Sequence, residues 1–125
     1  DGEQLYVSNG TAQLSVWQDS KQVKTIKVTL NGKPISRLNE LEWINGEIWA
    51  NVWLTDHIVR IDPTSGQISS IIDATRLLPA DERQQGTDVL NGIAFDPRNK
   101  GIWLSGKRWP YLYRIKPVER SGKKP

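Results

Sequence analysis

The residues of this chain with chemical potential fall into two clusters. One holds Asn39 and Glu40, followed by Trp53, Thr55 and Asp56. The other holds Asp88 and Asn91, followed by Lys107, Arg108 and Trp109. Amides, carboxylates, a lysine and indoles are what a small-ligand pocket uses to orient its guest. The same residues also have plainer uses. Asn39 and Asn91 can cap turns, and Asp56 and Asp88 can bind backbone N–H groups. Composition removes other chemistries. There is no cysteine, so disulfides, a Cys nucleophile and Cys-based zinc sites are excluded. His57 is the single histidine, so a Ser-His-Asp triad has one base available and no two-His metal site can form within the chain.

The elements that must position these clusters are short strands. The one stretch with helical composition, 74–85, is interrupted by Pro79 and reads as a long loop with a helical turn. Elsewhere one pattern recurs. Asp1-Gly2 leads into Leu5–Ser8 and then Leu14–Val16. Asn45-Gly46 leads into Ile48–Trp53 and then Ile58–Ile61. Asn99-Lys100-Gly101 leads into Ile102–Ser105 and then Tyr111–Ile115. Asn-Gly marks a tight hairpin, because a type I′ turn needs positive φ at both central residues. Gly2 and Gly46 lie 44 positions apart, Gly46 and Gly101 lie 55 apart, and the 74–85 loop accounts for the excess. A period of about 40–50 residues with several short strands per unit is the signature of β-propeller blades.

The predicted fold is therefore all-β, with roughly two and a half blades of a larger ring. The middle unit is complete, with strands at Leu41–Ile44, Ile48–Val52, His57–Asp62 and Gln67–Ile72. The first unit lacks its opening strand. The third runs Gly92–Asp96, Gly101–Ser105 and Leu112–Lys116 and stops before its fourth strand. The missing strands are expected from further blades, on the same chain or on a second one, because an open stack leaves bare edges and faces. Residues 1–118 form one propeller domain on this reading, and 119–125 a basic flexible tail.

The chain carries a net charge of +3, much of it in that tail, which is too little for a nucleic-acid surface. No apolar stretch approaches the roughly 18 residues of a membrane span. Six tryptophans stand against one phenylalanine. Most of them are expected to fill gaps between sheets, and a few to line a site. Asn9-Gly10-Thr11 fits an N-glycosylation acceptor.

Propeller geometry sorts the polar residues. Strands alternate direction, so residues before the first strand of a blade and those just after its second strand share one end of the ring. That end collects both clusters, Asn39, Glu40, Trp53, Thr55 and Asp56 with Asp88, Asn91, Lys107, Arg108 and Trp109, and Glu40 is read as a supporting partner.

Three runs carry a resemblance. They are Leu38-Asn39-Glu40-Leu41-Glu42-Trp43-Ile44-Asn45-Gly46-Glu47-Ile48-Trp49-Ala50-Asn51-Val52-Trp53, Asp88-Val89-Leu90-Asn91-Gly92-Ile93-Ala94-Phe95-Asp96, and Ser105-Gly106-Lys107-Arg108-Trp109-Pro110 with Leu112–Ile115. The chain resembles the plant and bacterial type of glutaminyl-peptide cyclotransferase over nearly its whole length. The resemblance implies a five-bladed propeller of which this is the C-terminal half. It implies an enzyme that turns the N-terminal glutamine of a peptide into pyroglutamate and releases ammonia, without a catalytic zinc or other cofactor. Asn39, Trp53 and Lys107 match residues of that family's active site: Lys107 is implied as catalytic, Asn39 and Trp53 as substrate-binding. The family's acid/base glutamate lies in the N-terminal half and has no match here, so this chain alone is expected to be inactive. Family members are commonly exported, which implies a secreted or periplasmic protein with no nucleic-acid or membrane partner. A ring with this mouth and no acid/base carboxylate would instead be a ligand-binding or scaffolding module, since fold alone does not fix function.

Overall fold

The computed structural model describes residues 2–83 and 85–118. The expected tail at 119–125 lies outside them. Among the described residues the regular elements are strands, apart from one short 3-10 turn at Ala80–Glu82. That turn starts just after Pro79, which supplies its fixed φ as the capping residue, so the proline begins the helical turn instead of ending one. Among these residues no helix is long and apolar enough to cross a membrane.

The strands form three antiparallel meanders. The first sheet contains β1 (Leu5–Ser8), β2 (Gln13–Gln18) and β3 (Lys21–Lys27). A two-stranded ribbon follows, β4 (Thr29–Leu30) and β5 (Lys33–Pro34). The middle sheet has four strands, β6 (Leu38–Ile44), β7 (Glu47–Val52), β8 (His57–Ile61) and β9 (Ile68–Asp73). The last sheet contains β10 (Leu90–Asp96), β11 (Gly101–Gly106) and β12 (Tyr113–Ile115). The four-strand unit predicted between Leu41 and Ile72 is thus present, with its first strand starting at Leu38. That shift places Asn39 and Glu40 within a strand, where the sequence pattern put them ahead of it. The turn at Asn45-Gly46 has positive φ at both residues, 50° and 83°, as a type I′ hairpin requires.

Side-chain alternation decides how the sheets stack. Along β7, Ile48 and Ala50 point into one apolar cluster and Trp49 into another. Along β8, Val59 and Ile61 join the first cluster and Ile58 the second. The middle sheet is therefore covered on both faces. The first cluster is completed by Leu14, Val16 and Ile26 of the first sheet. The second is completed by Leu90, Ile93, Ile102 and Leu104 of the last sheet, with Ala74 from the long loop. Tyr6 and Trp43 stack across the first seam at 5.5 Å, with their planes 7° apart. The opposite face of the first sheet is bare, with Leu5, Val7 and Trp17 exposed.

Candidate active site

The first strands of the middle and last sheets, β6 and β10, are interrupted in the same way. Pairing of β6 with β7 runs Leu38↔Val52 and then resumes at Leu41↔Ala50. Pairing of β10 with β11 runs Leu90↔Gly106 and resumes at Ile93↔Leu104. The dipeptides left out of the ladder are Asn39-Glu40 and Asn91-Gly92. A bulge of this kind breaks the alternation of side chains and re-aims the residues it frees. Both bulges present an asparagine, and the two asparagines meet: Asn39 Nδ2 donates to Asn91 Oδ1 at 3.1 Å.

The second strands leave the sheets by the same turn. In the middle sheet Thr55 N–H donates back to the Val52 carbonyl at 3.1 Å, and in the last sheet Trp109 N–H donates back to Gly106 at 3.1 Å. The third residue of each turn, Leu54 or Arg108, has a left-handed φ of 67° or 56°. The second residue is Trp53 in one and Lys107 in the other. Each is pinned through its main chain to the residue just ahead of the strand that carries the neighbouring asparagine. Trp53 N–H donates to Arg37 O at 2.8 Å, and Lys107 N–H donates to Val89 O at 2.9 Å. Asp88 N–H returns a bond to Lys107 O at 2.9 Å. The backbone is thus fixed, while the side chains of Trp53 and Lys107 are exposed. A rigid frame holding free functional groups is what a site needs.

The structure therefore brings Asn39, Trp53 and Lys107 to one end of adjacent sheets, as strand direction required. Glu40 lies in the same bulge as Asn39 and is exposed. Trp109 is at this end too, but its groups are engaged. Its Nε1–H donates to Asp88 O at 2.7 Å, its ring meets Tyr113 edge-on at 6.1 Å, and the Arg83 guanidinium lies over it at 5.9 Å. Tyr113 Oη in turn donates to Glu82 Oε2 at 3.5 Å. Desolvation, and then the charge of Glu82, push the Tyr113 phenol above its ordinary pKa. Gly106 makes room for this indole, since a Cβ there would stand 2.2 Å from the Trp109 ring.

Sequence reasoning places Asn91 in the polar cluster with turn capping as its plainer use, and does not single out Asn51. Asn51 is fully buried on β7 and its Oδ1 accepts from Gly92 N–H at 3.1 Å. Across the other seam Ser8 Oγ donates to Asn39 O at 2.6 Å. The available signal was a buried-strand run, Ile48-Trp49-Ala50-Asn51, that ends on a polar residue. Such a residue must have a partner inside the fold.

Comparison with known proteins shows the family. Residues 1–117 match the family described as glutamine cyclotransferase. The chain belongs to that family. It is 41% identical, over 98% of its length, to a glutaminyl-peptide cyclotransferase of Arabidopsis thaliana, and covers 40% of that protein. It superposes on the crystal structure of Myxococcus xanthus glutaminyl cyclase with a TM-score of 0.83 and 35% identity, over 90% of this chain and 50% of that one. The chain thus spans half or less of the length of these glutamine cyclotransferase relatives.

Proposed function

We propose that this chain supplies the closing blades of a five-bladed propeller that cyclises the N-terminal glutamine of peptides to pyroglutamate, releasing ammonia. The carrying observation is a coincidence. The residues that the resemblance matches to the family's active site, Asn39, Trp53 and Lys107, are ones held on fixed backbone at one end of adjacent sheets. The bare face of the first sheet, with Leu5, Val7 and Trp17 exposed, fits a ring whose remaining blades lie on the same or a second chain.

The reaction is an attack of the α-amine on the γ-amide carbonyl. The carbonyl oxygen gains negative charge and needs a donor, a role suited to Lys107 Nζ. Asn39 orients the substrate through its carboxamide. The glutamine side chain must fold back on itself, and Trp53 offers the flat wall that holds it there. Glu40 and Trp109 border the substrate at the same mouth. The attacking amine gives up a proton as the new C–N bond forms and the departing nitrogen takes one as ammonia leaves, a transfer that falls to a carboxyl group on the remaining blades. No cofactor enters this scheme, and export from the cytoplasm accompanies it as the family's usual setting.

The test is to incubate a glutamine-led peptide with the complete ring and with this chain alone. The proposal expects ammonia and pyroglutamyl peptide from the ring and neither from the chain. Binding of the peptide by the ring without turnover would favour a ligand-binding module.

A further inference from the structure

The frame around Asn39 has one segment that bonds to both the middle sheet and the Lys107 turn. Asn91 accepts a hydrogen bond from Asn39 Nδ2 at 3.1 Å. Two residues earlier, just ahead of β10, Val89 O accepts from Lys107 N–H. One residue later, Gly92 N–H donates to the buried Asn51 of the middle sheet. Asn39 and Lys107 stand on different sheets, and no direct bond links them. The segment from Val89 to Gly92 is bonded to both. Gly92 has a φ of 148°, which few other residues adopt, so the bulge has a specified shape.

We infer that Asn91 is a positioning residue: it fixes the carboxamide of Asn39 relative to Lys107. A carboxamide has two N–H donors and one acceptor. Asn91 takes one donor and thereby selects one orientation of the Asn39 side chain, leaving one N–H and the oxygen for substrate. Without Asn91 the Asn39 amide can rotate freely, and its hydrogen bond to substrate must be formed against that freedom. Asn91 itself does not touch substrate in this account. The inference rests on the functional reading above, since it gives Asn39 a substrate to hold.

The experiment is a double-mutant cycle in the complete enzyme, reading kcat and KM separately with a glutamine-led peptide. N91A is expected to raise KM about fivefold with kcat nearly unchanged, the effect of one lost neutral hydrogen bond. In the N39A background the same change is expected to alter kcat/KM less than twofold, because nothing remains to be positioned. N91D, which keeps the acceptor, is expected to recover most of the KM and serves if N91A fails to fold. An N91A effect of equal size with and without Asn39 overturns the inference. So does a fall in kcat at constant KM, the pattern of lost folded enzyme. A parent enzyme that is folded but does not cyclise the peptide overturns the functional reading and this inference together.

Discussion

Trp53 and Lys107 occupy the same position in successive sheets: each is the second residue of the turn that leaves the second strand, and each donates its backbone N–H to the residue two before a bulged asparagine. The fold thus offers one repeated scaffold position and fills it once with a flat apolar ring and once with a cation. Each group suits one half of the proposed reaction, a wall for a folded side chain and a donor for a developing oxyanion.

Trp53 is expected to act on binding. Its ring is 42% exposed, so its removal leaves little cavity in the free protein. Trp53→Ala should raise KM about tenfold and leave the melting temperature almost unchanged. Trp53→Phe should recover part of the loss, because a smaller flat face remains. Steady-state kinetics with a glutamine-led peptide and a thermal melt check both halves.

Gly106 should tolerate no side chain. A Cβ would lie 2.2 Å from the Trp109 ring, so Gly106→Ala must displace the indole or the strand end. Overpacking of this kind costs about 1–3 kcal/mol. The expected result is a lower melting temperature together with a shift in tryptophan emission, as Trp109 loses its bond to Asp88 O.

Acid should weaken the outer part of the middle sheet. Glu47 Oε1 pairs with Arg60 at 2.6 Å, and Glu47 Oε2 accepts from Ser69 Oγ at 2.7 Å, joining β7, β8 and β9. Desolvation acts to raise the Glu47 pKa, but the bonds from Ser69 and Arg60 and the arginine's charge outweigh it, and the net shift is downward. A carboxylate lowered in the folded state adds stability above its unfolded value of about 4.3, and this is lost as pH falls through the folded value. The melting temperature of the parent should therefore exceed that of Glu47→Gln at about pH 6–7, where the carboxylate is ionised in both states. The gap should shrink as pH drops below about 4. A gap independent of pH would contradict this.

How far the sequence carried this account depends on the element. Asn45-Gly46 announced its hairpin because glycine and asparagine take left-handed φ cheaply. The turn between β2 and β3 uses the same geometry at Asp19 and Ser20, with φ of 51° and 63°, and no glycine marks it. Strand β3 was equally hidden, since within Lys21–Lys27 only Ile26 is buried. At the site, strand direction was enough to gather Asn39, Trp53 and Lys107 at one end. The bulges were not legible: a one-residue irregularity leaves no compositional trace, and only the ladder reveals that Asn39 and Asn91 face each other. The role of Asn51 was hidden for a similar reason, as its partner Gly92 is 41 residues away.

The most direct test of the account is the rate of ammonia release by the complete enzyme carrying Lys107→Ala. Lys107 is exposed and its bonds to the fold pass through its main chain, so the variant should melt with the parent. Its kcat should fall by roughly a hundredfold or more, the usual loss when an oxyanion donor is removed. A folded variant that releases ammonia at the parent's rate would contradict the assignment of this mouth as the active site.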